Sequence, residues 1–274
     1  MATSHQSFQE FERAGWEDPD IAAGYDEHIS SVTTQSIAAL LDAAGISHGS
    51  RVLDVAAGAG YVTSASARRG ADPIGIDFSL AQVRMARERN PTLRFEQTDA
   101  EALPFGADTF DAVVNAFGMC HLPNPGIALL EAFRVLKSGG RVAFTVWDMP
   151  ERAVVFGVIY AAVSTHGSMD VGLPIGPNFF LFSSPDASMN ALRDAGFVSP
   201  SFQQVPQVWR IADPDKLFDM VAEGTVRAAA TLRAQSPQVR EFIRAALRAT
   251  VATYKCGDHF EVPMPAVLAT AVKP

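Results

Sequence analysis

From Arg51 to about Trp147, short apolar runs alternate with longer stretches in which apolar positions recur at helical spacing. Arg51-Val52-Leu53-Asp54-Val55 reads as a buried strand, and Pro73-Ile74-Gly75-Ile76-Asp77 as a second. Further strands are expected at Leu93 to Glu96, Phe110 to Asn115 and Arg141 to Val146. A helix is predicted from about Tyr61 to Arg69, stopped by Gly70, and another begins after Ser79. Ser79 with Gln82 three residues on has the form of a capping box, and Pro91 ends that helix. Ala128 to Leu136 is a third, closed by Ser138-Gly139-Gly140. Parallel strands need a crossover between them, so this alternation implies an α/β fold: a parallel sheet with helices on both faces.

Past Met149 the texture changes. Val171 to Phe182 is rich in Gly, Pro and Phe, Ala187 to Ala195 reads as a helix, and Phe202 to Ile211 as strands. Asp215 to Thr253 is largely helical with breaks at Gly224 and Pro237, and Ala266 to Val272 is one more strand. The expected division is an N-terminal helical lid over residues 1–48 and a ligand-binding core over 49–150. Residues 151–264 then form a cap and substrate region with a sixth strand, and 265–274 the last core strand. The plainer alternative for the second half is extra packing.

With 48% hydrophobic and 19% charged residues, the 274-residue chain can bury a full core. Twenty-two basic against thirty acidic residues leave a net charge of −8. That balance argues against nucleic acid or an anionic membrane surface, since both want a basic face. Cys120 and Cys256 make neither a disulfide framework nor a metal-ligand spacing, so a reduced compartment and no metal are expected. Ala153 to Val163 is too short to span a bilayer, and Met1-Ala2-Thr3-Ser4-His5-Gln6 has no secretory pattern. A cytoplasmic protein without membrane insertion is the reading.

The chemistry concentrates where the first strand ends. Val55-Ala56-Ala57-Gly58-Ala59-Gly60 runs from strand into helix through small residues, which lets backbone approach a ligand closely. In open parallel sheets the crevice beyond the strand C-termini binds ligands, and the helix N-terminus offers free N–H groups. Asp77 ends the second strand, where a carboxylate can accept both hydroxyls of a ribose. A dinucleotide turn would carry a third glycine, where this chain has Thr63. Asp54 at the strand end would repel a pyrophosphate but suit an amino group or a cation. A positively charged nucleoside fits better than a nicotinamide cofactor.

Asp54-Val55-Ala56-Ala57-Gly58-Ala59-Gly60 resembles motif I of the class I S-adenosylmethionine-dependent methyltransferases, with Ala56 in place of the usual first glycine. Gln97 to Phe105 resembles the adenine-binding loop of the ubiquinone/menaquinone-biosynthesis-like (type 11) branch. Asp108 to Val114 and Arg134 to Gly140 are further matches in order, and together they cover roughly residues 15 to 148. The resemblance implies a Rossmann-like, doubly wound seven-stranded sheet whose last strand, Ala266 to Val272, is antiparallel, with a mixed, largely helical cap. It implies S-adenosylmethionine as cofactor and S-adenosylhomocysteine as product. Gly58 and Gly60 would lie against the methionine moiety, with Asp54 and Ala56 in the same turn. Asp77 would take the ribose hydroxyls beside Phe78, while Asp99 and the Ala100 N–H would bind adenine. Asn115, Ala116 and Phe117 would approach the methionine part. Four of these have plainer alternatives: Asp54 as an organiser of the turn only, Asp77 as a solvated strand-end acid, Asp99 as a helix cap, and Asn115 as a loop polar group.

Gly24-Tyr25-Asp26 and Gly15-Trp16 resemble the lid of this branch, where an aromatic such as Tyr25 would cover a sulfonium. Methyl transfer is an in-line displacement that positioning in a dry site can largely accelerate. His121 is the candidate general base; His166 and His259, in the cap, are weaker ones. Phe179, Phe180 and Phe182 could wall an acceptor pocket, and Arg227, Arg233, Arg240, Arg244 and Arg248 either solvate a helix or recognise a carboxylate. The expected acceptor is a small molecule methylated at oxygen, carbon or nitrogen, and a homodimer is left open. The competing functions are a non-catalytic cofactor-binding protein of the same fold and, remotely, a nicotinamide-dependent oxidoreductase.

Overall fold

A computed structural model describes residues 4–274. The Met1-Ala2-Thr3 end of the expected lid, and of the reading that no leader is present, lies outside the described residues. The strands are β1 (Arg51–Val55), β2 (Asp72–Asp77), β3 (Arg94–Gln97), β4 (Phe110–Ala116), β5 (Leu136–Trp147), β6 (Val198–Val205), β7 (Val208–Ile211), β8 (Lys255–Cys256), β9 (His259–Pro263) and β10 (Ala266–Val272). Seven of them form one sheet in the order β3-β2-β1-β4-β5-β10-β6, and β10 alone runs antiparallel to its neighbours. This is the Rossmann-like sheet with an antiparallel last strand in the chain. β7, β9 and β8 make a separate small antiparallel sheet that the pattern of apolar positions did not announce.

Period-2 alternation sorts each strand onto two cores. Val52, Ala112, Val114, Ala143 and Leu268 face one side, and Leu53, Val113, Val142, Phe144 and Val267 face the other. The first side is covered by α3 (Ser30–Thr33), α4 (Ile37–Ala43) and α5 (Tyr61–Arg68), while α1 (Ser4–Glu17) and α2 (Pro19–Gly24) pack in a separate small cluster of Trp16, Ile21 and Val226. α6 (Leu80–Arg89) follows β2, and α7 (Pro125–Val135) lies on the second side. The later helices are α8 (Val154–His166), α9 (Pro185–Asp194), α10 (Leu217–Gly224), α11 (Arg227–Arg233) and α12 (Pro237–Ala252). The breaks expected at Gly224 and Pro237 are where α10 ends and α12 starts. α12 packs on α8, and α10 packs on α2.

The last contact depends on glycine. A Cβ on Gly24 would sit 2.5 Å from the Glu223 carbonyl oxygen, so α2 and α10 cross with their backbones nearly touching. α10 is thereby held directly against the N-terminal helix α2.

The Ser79 cap is half of what its spacing suggests. Ser79 Oγ accepts from the Gln82 N–H at 3.2 Å, but the Ser79 N–H donates to Asp77 Oδ1 at 2.9 Å rather than to Gln82. The acid at the end of β2 has taken the reciprocal place of the box.

Candidate active site

Beyond the C-terminal ends of β1, β2 and β4 lies a cavity of about 980 Å³. Its lining includes Tyr25, Asp54, Ala56, Gly58, Asp77, Phe78, Ala100, Ala116, Phe117 and His121, ten of the residues singled out by sequence. The turn after β1 takes left-handed backbone at Ala56 (φ 56°) and at Gly58 (φ 52°). An alanine in that conformation carries strain of about 1–2 kcal/mol, and it stands where the usual motif has glycine. Phe117 (φ 61°), after β4, is left-handed as well, so both strand ends facing the cavity turn sharply on non-glycine residues.

Gly60, Asp99 and Asn115 are outside the lining. Gly60 (φ 83°) starts α5, and a Cβ there would be 2.7 Å from the Phe95 ring, so it packs and turns. Asp99 accepts the Glu101 N–H at 2.9 Å and faces Gln9 Nε2 at 3.3 Å. Asn115 is buried; its Nδ2 donates to the Val55 carbonyl (3.0 Å), and its Oδ1 accepts the N–H groups of Gly118 (2.9 Å) and Met119 (3.1 Å). It ties the turn after β4 to the end of β1, and so positions the wall.

Two buried carboxyls dominate the electrostatics. Asp77 Oδ2 accepts the Gly58 N–H at 2.9 Å and Oδ1 the Ser79 N–H at 2.9 Å. Burial pushes its pKa up to about 6, against those two hydrogen bonds, which lower it. Asp54 is fully buried; Oδ2 accepts the Thr63 hydroxyl at 2.6 Å, while Oδ1 has no partner. Burial raises Asp54 further, to about 7, with the Thr63 bonds opposing. The cavity therefore contains an unsatisfied acceptor that gains from a cation.

The N-terminal segment closes the mouth. Tyr25 opens a π-helical turn (Tyr25–Ile29). Asp26 in that turn accepts the Tyr61 hydroxyl at 2.9 Å and pairs with Arg89 at 2.6 Å, which clamps it to α5 and α6. Trp16 meets Tyr25 edge-on at 5.4 Å and His121 at 5.1 Å. His121 Nδ1 lies 2.8 Å from Oε2 of Glu12 on α1, and Trp16 Nε1 donates to the same oxygen at 3.1 Å. Burial disfavours the imidazolium, but the neighbouring Cys120 and Glu12 outweigh it and hold the pKa well above the ordinary value.

Trp16, Tyr25 and His121 also border a second cavity of about 630 Å³. Ile29, Trp147, Phe156, Tyr160, Phe179, Trp209 and Arg227 line it too. Of the three phenylalanines expected to wall a pocket, Phe179 does; Phe180 packs on Phe156 and Tyr160, and Phe182 is buried against Phe144. Among the five arginines only Arg227 reaches this lining, whereas Arg244 and Arg248 pair with Asp219 and Asp215 and Arg233 donates to a carbonyl. His166 stacks on Phe242 and His259 pairs with Asp258 and Glu261; neither borders a cavity described above.

Sequence reasoning missed Glu12, Thr33, Thr34, Ile37, Trp209 and Met264. Only Glu12 left a trace, as an acid four residues before Trp16 on an amphipathic helix, and that pattern equally describes a solvated face.

A family model described as a methyltransferase domain matches residues 53–144. Over 111 residues the chain is 40% identical to a demethylmenaquinone methyltransferase of Renibacterium salmoninarum, covering 40% of this chain and 47% of that one. The chain thus spans about half the length of the curated relatives it matches. Among solved structures, the YcgJ protein of Bacillus subtilis superposes with a TM-score of 0.56 at 21% identity, covering 87% of this chain and 97% of that chain. A phosphoethanolamine N-methyltransferase 2 of Haemonchus contortus, solved with phosphomonomethylethanolamine and S-adenosylhomocysteine, gives 0.53 at 18%, covering 87% and 52%. No helix among the described residues is long and apolar enough to cross a membrane. The local match and the strand order agree: residues 53–144 resemble the methyltransferase-domain family, and the seven-stranded sheet has the fold of these solved neighbours.

Proposed function

We propose that this protein transfers the methyl group of S-adenosylmethionine to a small-molecule acceptor. The observation that carries this reading is the pair of buried carboxyls, one with an unpartnered oxygen, lining a cavity at the strand ends. A nucleoside with ribose hydroxyls, an ammonium and a sulfonium matches that donor and charge set; a pyrophosphate does not. The Haemonchus contortus neighbour, solved with S-adenosylhomocysteine on the same kind of sheet, supports it.

In this reading Asp77 accepts the ribose hydroxyls beside Phe78, Asp54 Oδ1 receives the methionine ammonium, and the Ala100 N–H meets adenine. Ala56, Gly58, Ala116 and Phe117 supply close backbone walls, and the rings of Trp16 and Tyr25 face the sulfonium. When bound, the cofactor supplies an electrophilic methyl group. The chain's own contribution is to exclude water and to hold the acceptor in line, which can account for much of the rate. His121 Nδ1 is engaged by Glu12 at 2.8 Å and its ring packs edge-on against Trp16. Its role here is to build the partition between the two cavities. Gly60, Asp99 and Asn115 act through the loops they shape.

Calorimetric titration with S-adenosylhomocysteine tests this. Wild type is expected to bind, and Asp77→Asn to bind roughly 10- to 150-fold more weakly, the worth of a charged hydrogen bond. Because Asp77 also holds the Gly58 and Ser79 N–H groups, the melting temperature of the variant has to be followed alongside. A well-folded wild type that shows no heat of binding sinks the proposal.

A further inference from the structure

Trp209 and Arg227 line the second cavity, and each carries a buried nitrogen with no partner, Nε1 and Nη1 respectively. Trp209 is 2% exposed. Arg227 is half-buried: Nη2 donates to the Pro174 carbonyl at 3.0 Å, and the guanidinium carbon lies 5.7 Å from the Phe8 ring centroid. Among the described residues no carboxylate pairs with it. Leaving two such donors unpaired in an aromatic cavity is costly, and a positive charge without a counter-ion more so. Most of the remaining lining is rings and aliphatic carbon, among them Trp147, Phe156, Tyr160, Phe179, Val221 and Met264, with His121 and the Thr225 side chain as the other polar members. Rings on several sides suit a flat apolar body, and the two donors suit an oxygen at its edge.

We propose, resting on the methyltransferase reading above, that this cavity is the acceptor pocket and selects a flat, apolar molecule bearing an anionic oxygen, held by Arg227 and Trp209. The shared wall of Trp16, Tyr25 and His121 puts such a molecule directly beside the first cavity. Arg227 is then a specificity-determining residue: it chooses among flat acceptors by charge and leaves the cofactor cavity alone.

The probes are 2-naphthoate and its neutral isostere 2-naphthamide, titrated into protein saturated with S-adenosylhomocysteine. Wild type is expected to prefer naphthoate by at least about tenfold. Arg227→Met should weaken naphthoate roughly 10- to 150-fold and change naphthamide by less than about threefold, while Arg227→Lys recovers part of the loss. Trp209→Phe should weaken both probes, since either offers a carbonyl oxygen to the indole. S-adenosylhomocysteine affinity should stay level across all four proteins, which also reports that each is folded. Equal binding of the two probes by wild type, binding of neither, or displacement of naphthoate by S-adenosylhomocysteine overturns the proposal. Discrimination between the probes by a wild type that ignores S-adenosylhomocysteine would instead retain the anion pocket and reject the cofactor reading.

Discussion

Asp54→Asn is expected to flatten the fall in stability that ligand-free protein shows between pH 5 and pH 8, and to remove the proton released when S-adenosylhomocysteine binds. Burial holds the Asp54 pKa at about 7, against an ordinary value of 3.8. A pKa raised by folding means that the native state binds the proton more tightly than the unfolded chain. The stabilisation is complete below pH 3.8 and is lost as pH rises through 7. Between pH 5 and pH 8 this one group should withdraw on the order of 3 kcal/mol. In a chain of this size that is about 5–10 °C in melting temperature. Asparagine does not titrate, yet its carbonyl can still accept the Thr63 hydroxyl. The quantity to compare is the pH slope of melting in the two proteins, since other titrating groups then cancel. On the ligand side, an ammonium at Oδ1 favours the carboxylate, so binding at pH 6.5 should expel most of one proton. Titrations in buffers of different ionisation enthalpy count it. Equal slopes and no difference in proton release between the two proteins would remove Asp54 from the site.

Most of the sheet is legible because its signal is local. Val52-Leu53 and Val113-Val114 alternate onto two cores, and β1, β2, β4 and β5 each lead into a helix before the next strand. The chemistry at the β1 and β2 ends is legible for the same reason: a small-residue turn and an acid at a strand end are short-range patterns. What the pattern leaves out is long-range. Lys255–Cys256 is a two-residue exposed strand, too short for periodicity to register. β5 starts at Leu136, not Arg141, because Leu136 pairs with Phe110 across an irregular register that hydropathy does not encode. Trp209 and Arg227 look like a strand core residue and a helix-face cation, and only the fold shows their nitrogens unpartnered in one cavity. Asn115 reads as a ligand contact but its three hydrogen bonds go to backbone. Position at a strand end fits either role, and three-dimensional hydrogen bonding decides.

The partition between the cavities should prove the most fragile part of the molecule. Glu12 is 2% exposed and has two partners, His121 and the Trp16 indole. His121→Leu removes the positive partner and leaves a buried carboxylate with a single hydrogen bond. A loss of about 3–5 kcal/mol is expected at pH 8, because an orphaned buried charge costs more than the pair was worth. The double variant Glu12→Gln/His121→Leu should regain most of it, since a neutral amide can still accept from Trp16 and no charge remains. The wild-type pair has its own pH window. With its pKa raised on folding, His121 contributes stability fully below pH 6.5 and loses it as pH climbs through the folded value. α1 should therefore loosen from the cavity mouth on the alkaline side. Arg13, exposed on α1 one residue beyond Glu12, offers the readout: its rate of tryptic cleavage, corrected for the enzyme's own pH profile, should rise from pH 7 to pH 9. Glu12→Gln should already cleave fast at pH 7 and show no such rise. If Glu12→Gln and wild type give the same profile, the pair does not hold α1 down, and α1 is held instead by the Trp16 ring contacts and by the hydrogen bonds from Ser79 Oγ to the Trp16 carbonyl and from the Leu80 N–H to Glu17.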